Sequence, residues 1–393
     1  MKILHVHDHL EFCGGAETYL LNVVQELEKA GHEQSFAYAD GNPDLAPRSH
    51  HVPSLVSAVR TGSRESGEAI KRIAKKERPD IIHFHNIYDT GAFEGAFQSA
   101  PTMFTSHGFG HLCPATSFYF RRTREICQRS CGPMCFPTTA LKHCLSPRPR
   151  TAMAYYRRVK WFHKQRNRYA HVVGPSQSVV DRYVKAGYPA DRVSSVPYFC
   201  PIDVAVEPAR APEKPTVLFI GRLVDIKGAD FFVQAVAKLP KDVQATMIGN
   251  FDEARTRQFD QLARSAGCRE QITFLPWVDR DGIREVYEKT TLLVFPSICP
   301  ETLGIVGLEA MANGVPVVAA DVGGVREWLL PDKTGVLVPP KDPQALADGI
   351  KRILDSPEIR KEYGLNGMQL IREKFSVSTH LNKLVGIYQS ILE

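Results

Sequence analysis

The chain has 393 residues, 43% of them hydrophobic and 23% charged, with a formal net charge of +6. That length predicts two or three domains, each able to bury its own core, and the ordinary balance excludes a disordered chain or a disulfide-dense miniature scaffold. No run of 18 apolar residues occurs, which excludes a conventional transmembrane helix.

The opening "MKILHVHDHLEF" is interrupted by His5, His7, Asp8 and His9, so it reads as a strand and not as the apolar stretch of a signal peptide. Nine cysteines, an odd number, then predict a cytoplasmic protein with reduced thiols. "FCGG" is a turn. "AETYLLNVVQELEKAG" sets Leu20, Leu21, Val24 and Leu27 on one helical face and stops at Gly31, a C-terminal capping glycine. "EQSFAYA", "DIIHFHN", "PTMFTSH" and "HVVGPS" are strand-like, each followed by polar or helical sequence. Past "RVSSVPYF" the composition changes, and "VEPARAPEKP" at 206–215 reads as a linker. A second series follows: "TVLFIG", "QATMIGN", "ITFLPWV", "TLLVFPS", "VPVVAA" and "GVLVPP", with "ADFFVQAVAKL" as a helix among them.

This alternation predicts an α/β protein of two Rossmann-like domains, each a parallel sheet between helices, facing each other across a cleft. Ligands of such sheets sit beyond the carboxyl ends of the strands. The expected boundaries are 1–205, the linker 206–215, 216–375, and a helix over 376–393 able to pack back on the first domain. Charge is uneven. Residues 126–180 hold ten Lys or Arg and no Asp or Glu, so the rest of the chain sums to −4. Such a segment reads either as a solvated face or as a surface for an anionic partner, whether membrane, phosphorylated substrate or nucleic acid.

Two loops of the second series carry chemistry. "GRLVDIKG" offers Arg222 and Lys227, with Gly228 opening a helix; "CPETLGIVG" opens another helix after Pro300. Helix N-termini with an Arg and a Lys are what a diphosphate needs. The second helix is expected to start near Leu303, with Glu301 just outside it and Glu309 six residues in, ~9 Å along the axis. Carboxylates accept from hydroxyls and repel phosphate, so one acid on each side of a phosphate turn suits a nucleotide sugar, with sugar hydroxyls on one side and ribose on the other. A wholly helical spacing of eight gives ~12 Å, wider than the ~5–9.5 Å of a glycosidase pair. "DRD" at 279–281 reads as a solvated turn and not as a metal motif.

"ETLGIVGLEAMANGVPVVAADVGG" resembles the E-x7-E signature of retaining glycosyltransferases of the GT-B fold, glycosyltransferase family 4. "GGAETYLLNVVQELEKAGHE", "IIHFHN", "TSHG", "FIGRLVDIKG" and "EWLLPDKTGVLVPPKDPQALADGI" extend the resemblance over nearly the whole chain. It implies that Glu301 binds donor-sugar hydroxyls, Glu309 the ribose, Arg222 and Lys227 the diphosphate, and the backbone of Leu303 and Gly304 a phosphate. Gly14 and Gly15 match the glycine turn near phosphate and acceptor. His107 matches a histidine lining the reaction centre, and only the resemblance singles it out, because His5, His7, His9, His83, His85 and His111 also fall near strand ends. The implied reaction is transfer from a nucleotide sugar, a UDP-sugar first, with retention and without a protein-bound metal. The acceptor would be a glycan, a lipid-linked saccharide or a small molecule. The expected location is cytoplasmic, with peripheral contact to an anionic membrane face and no nucleic acid.

The departure from the family pattern is a Cys-rich, basic insertion at about 111–168. Cys113, Cys127, Cys131, Cys135 and Cys144 crowd into it among prolines and glycines. Four of these five thiolates would suit a structural metal, zinc first and an iron–sulfur cluster second, and the sequence leaves open which of Cys131 and Cys135 is spare. Free thiols in an irregular loop are the other reading. Two competing functions stand beside the transferase: a phosphorylase-like enzyme, for which no pyridoxal phosphate lysine is marked, and a metal-stapled protein binding nucleic acid or anionic lipid over an inactive cleft.

Overall fold

The structure is a computed structural model that describes all residues except 12–14, 47, 57–62, 147, 209–211 and 279–281. The chain divides into two compact units, Met1–Pro201 with Val377–Glu393, and Ile202–Ser376.

Among its described residues the first unit has nine strands: β1 (Lys2–Leu10), β2 (Glu33–Gly41), β3 (Ser49–His51), β4 (Ile81–His85), β5 (Thr102–Thr105), β6 (Tyr119–Phe120), β7 (Glu125–Ile126), β8 (His171–Gly174) and β9 (Val193–Ser195). Seven of them form one parallel sheet in the order β3-β2-β1-β4-β5-β8-β9. Its helices are α1 (Gly15–Lys29), α2 (Arg64–Glu77), α3 (Thr90–Phe97), α4 (Cys135–Lys142), α5 (Pro149–Lys164) and α6 (Gln177–Lys185). Helices cover both faces of such a sheet, so its central strands are buried almost throughout. All five residues of β4 are buried, including His83 and His85. Register places His5 of β1 opposite His83 of β4, and His85 lies two residues on, on the same face. Gly31 takes a left-handed φ of +83° where α1 ends, as its sequence position predicts.

Between β5 and β8 the chain makes a long excursion. It contains the two-residue antiparallel ladder of β6 and β7 and the short helix α4, none of whose residues is buried.

The second unit holds β10 (Thr216–Ile220), β11 (Gln244–Ile248), β12 (Ile272–Leu275), β13 (Leu292–Phe295), β14 (Val317–Ala320) and β15 (Gly335–Val338), with helices α7 (Ala229–Val236), α8 (Glu253–Ser265), α9 (Ile283–Glu288), α10 (Ile305–Ala312), α11 (Pro343–Leu354) and α12 (Pro357–Lys374). Its six parallel strands run β12-β11-β10-β13-β14-β15. β10, β13 and β14 are nearly unbroken apolar runs, as strands buried on both faces must be. Residues 202–208 are tied to this unit: Ala205 N–H donates to Ala312 O at 2.8 Å, and the Arg372 guanidinium to Ala205 O at 2.8 Å. The last helix, α13 (Val377–Leu392), belongs to the first unit, where His380 meets the Tyr19 hydroxyl at 3.0 Å and Tyr388 meets His83 at 2.8 Å. Among the described residues no helix is long and apolar enough to cross a membrane.

Candidate functional site

In the second unit the loops after β10, β13 and β14 are drawn against one another by close backbone approach. Gly228, at φ +68°, lets the start of α7 pass Pro296; a Cβ there would stand 2.0 Å from the Pro296 oxygen. Gly323, at φ +55°, does the same for the loop after β14 against Glu301, whose carbonyl would lie 2.2 Å from a Cβ. The N–H of Gly324 donates to that carbonyl at 2.8 Å. Asn250, at the end of β11, accepts from Leu223 N–H at 2.7 Å and holds the β10 loop from the other side.

These contacts bring Lys227 onto Glu301. The Lys227 ammonium donates to Glu301 Oε1 at 2.6 Å, and Ser297 Oγ donates to the same oxygen at 2.5 Å. Glu301 is only 8% exposed, so its charge is compensated almost wholly by these two groups. Arg222 is exposed and pairs with no carboxylate among the described residues. Burial pushes the thiol of Cys299, two residues before Glu301, up to about 12.

Gly304 caps α10 with φ +102°, and no side chain closes that helix end. The helix begins at Ile305, two residues later than the sequence predicts, because Gly304 turns left-handed under Phe295. The N–H groups of Leu303 and Gly304 donate to no carbonyl among the described residues. The Leu303 carbonyl is fixed by the indole N–H of the fully buried Trp328 at 2.7 Å. Glu309, within α10 and half-buried, accepts from Tyr287 OH at 3.2 Å. Arg222, Lys227, Glu301, Leu303, Gly304 and Glu309 thus sit on loops and one helix at the carboxyl ends of β10 and β13, where open parallel sheets bind ligands.

In the first unit Gly14 lies outside the described residues, as do 279–281 of the second, and Gly15 is the exposed first residue of α1. His107 follows β5. Its Nδ1 meets the Tyr198 hydroxyl at 2.7 Å, and its Nε2 meets His85 Nδ1 at 3.2 Å. His85 Nε2 meets His5 Nδ1 at 3.1 Å, and His5 Nε2 meets Gln34 Oε1 at 2.7 Å. His83 lies beside this row, between Tyr388 and Thr105. Among the described residues, His5, His83 and His85 are the one trio whose ligand atoms all lie within 4.8 Å of one another. Every ring nitrogen in that trio has a protein partner, so it is a hydrogen-bonded core and not an open metal site.

Burial keeps these rings neutral. It lowers His5 to about 4 and His7, His107 and His111 to about 3, with His83 and His85 also well below their ordinary value. The unfolded chain protonates near pH ~6.5. The folded state therefore holds fewer protons below that pH, and the stability these rings contribute is complete above it and lost as pH falls toward 4. Each ring costs up to ~1.4 kcal/mol per pH unit in that window. Thermal melting from pH 8 to 4.5 should show a flat midpoint above 7 and a steep fall below 6; a midpoint unchanged at 4.5 would contradict the neutral core.

Residues 205–370 match the group 1 glycosyl transferases, and residues 13–204 match Glycosyltransferase Family 4. The chain belongs to the family 4, group 1 glycosyltransferases. It is 33% identical to the alpha-D-kanosaminyltransferase of Streptomyces kanamyceticus over 53% of this chain and 56% of that protein, so it spans about half the length of that relative. A glycosyltransferase structure from Rickettsia africae matches with a TM-score of 0.75 at 19% identity, covering 100% of this chain and 98% of the other. Anabaena HepE in complex with UDP matches with 0.75 at 19%, covering 99% and 100%. The fold shared with these structures is GT-B.

Within this glycosyltransferase framework, sequence reading missed the supports: Ser297, Asn250, Gly323, Trp328 and Tyr287. Gly323 had a signal in the "GG" after β14, but nothing local indicated that its partner was Glu301, 22 positions earlier. The five insertion cysteines line one cavity of the first unit.

Proposed function

We propose that the protein transfers a glycosyl group from a nucleotide-diphosphate sugar to a saccharide, lipid-linked or small-molecule acceptor, with retention at the anomeric carbon. The observation that carries this reading is the Lys227–Glu301 pair beside the uncapped start of α10, with Glu309 further along the same helix. A diphosphate arriving at the N–H groups of Leu303 and Gly304 would meet the positive end of the helix dipole and Arg222. It would also compete with Glu301 for Lys227. Once Lys227 turns to phosphate, the Glu301 carboxylate is released to accept from sugar hydroxyls, and Glu309 accepts from the ribose. Loss of the diphosphate would then be aided by preorganised positive charge, the main source of rate enhancement in sites of this kind. The complex of Anabaena HepE with UDP supports a uridine nucleotide as the first donor to test. His107 contributes its backbone and ring wall in this reading, because both its ring nitrogens are engaged by His85 and Tyr198.

The test is a thermal-shift screen of UDP-, GDP- and ADP-sugars, since a ligand that binds only the folded state raises the midpoint by mass action. The anomeric configuration of the product, read by NMR, then decides retention. No shift with any of the three classes would remove the reading. Transfer is further expected to persist after thorough chelation of Mg²⁺ and Mn²⁺, because the leaving charge is met by Arg222, Lys227 and a helix end. Activity abolished by EDTA and restored by Mn²⁺ alone would bring residues 279–281 back as metal ligands.

A further inference from the structure

Within the excursion between β5 and β8, residues 121–146 are thinly built, none of them being buried, whereas α5 and the residues around β6 pack into the first unit's core. β6 and β7 pair over two residues each, and α4 buries no side chain and has no side-chain cap. Elements this small do not hold a fixed shape by packing alone. Yet Cys113, Cys127, Cys131, Cys135 and Cys144, brought from separate turns of the excursion, all line a single, mainly apolar cavity of about 40 Å³. The other three described cysteines, Cys200, Cys268 and Cys299, do not line it.

Cationic groups stand at the cavity, while burial raises the Cys113 and Cys144 thiols above their ordinary range. Among the described residues no carboxylate lines the cavity. Arg129 lines it, and Arg182 donates to the Cys127 carbonyl at 3.4 Å and lies 4.3 Å from the ring of Phe118, which also lines it. Among the described residues no three of these sulfurs lie within 4.8 Å of one another. They ring the cavity more widely than a bound ion's shell, in which sulfurs ~2.3 Å from the metal stand ~3.8 Å apart.

We propose that Cys113, Cys127, Cys144 and one of Cys131 and Cys135 hold a structural thiolate metal centre, zinc before an iron–sulfur cluster. Metal draws the ring inward and staples residues 121–146, supplying the order that their own packing lacks.

Elemental analysis of the full chain, purified anaerobically from cells supplied with zinc and iron, is expected to give about one zinc per chain, released in step with thiol modification by a mercurial reagent. Serine at 113, 127 or 144, and at one of 131 and 135, should abolish that content, whereas the remote Cys268→Ser should keep it. Iron with acid-labile sulfide, lost in the same four variants, would equally support the site and would name the cluster as its occupant. Should the serine variants fail to fold, the wild-type chain stripped of metal still decides: Co²⁺ should produce a sulfur-to-cobalt charge-transfer band and protect residues 127–145 from proteolysis. A metal content near zero without a cobalt band overturns the proposal. So does metal retained in the serine variants at 113, 127 and 144.

Discussion

Replacing Glu309 with alanine is expected to weaken binding of the free nucleoside diphosphate by about 10- to 150-fold, the ~1.5–3 kcal/mol of a hydrogen bond to a charged group. Glu301→Gln is expected to behave in the opposite way. It keeps the shape of the side chain but frees Lys227 from a 2.6 Å ion pair, so free nucleoside diphosphate should bind at least as tightly as to the wild type while transfer slows. The reason is competition: in the unliganded protein one ammonium serves the acid, and in the complex it must serve phosphate. Calorimetric titration of each variant with nucleoside diphosphate and with intact nucleotide sugar separates the two roles. Equal affinity for wild type and Glu309→Ala would sink the ribose assignment, and a Glu301→Gln variant that loses as much affinity as Glu309→Ala would sink the competition.

Gly323→Ala should be strongly damaging, and of the second unit's described loop glycines it is the one whose added methyl group presses directly on the backbone of Glu301. The position is left-handed, which costs a side chain about 1–2 kcal/mol by itself. The added Cβ would also stand 2.2 Å from the carbonyl oxygen and 2.5 Å from the nitrogen of Glu301, so either the loop after β14 or the backbone beneath the acid must move. Transfer is expected to fall more than tenfold, because displacement on the ångström scale is enough to spoil a positioned group. Gly386→Ala, in α13 with nothing within 4 Å of the new carbon, is the matched control and should gain a few tenths to 1 kcal/mol from helix propensity. Similar stability and rate for the two variants would mean that the Gly323 contact does not hold Glu301.

The apolar runs of β10, β13 and β14 could be read directly, because strands buried on both faces have no need of polar alternation. The two carboxylates were legible for the opposite reason: Glu309 stands among Leu308, Ala310 and glycine, where a charge calls for an explanation. What escaped reading was non-local. Ser297 and Lys227 reach the same oxygen of Glu301 from different loops, and Trp328 reaches back 25 residues to fix the Leu303 carbonyl. No local pattern encodes such approaches. β3, β6 and β7 escaped for a related reason, since two- and three-residue strands exist through pairing and carry no periodicity of their own. The histidines looked like scattered structural residues until strand register set His5 against His83 and left His85 one step along the same face.

That row of histidines has a direction. With the Gln34 oxygen facing His5, His5 Nε2–H donates to it, His85 Nε2–H donates to His5, and His107 Nε2–H donates to His85, which leaves His107 Nδ1 to receive the Tyr198 hydroxyl proton. Half a turn of the Gln34 carboxamide, whose nitrogen is buried without a partner, would invert every link, and His107 would then donate to Tyr198. The tautomer of a ring at the end of β5 is therefore written at residue 34, three hydrogen bonds away in the interior. An ionised glutamate in that place, able only to accept, would leave the row a single sense.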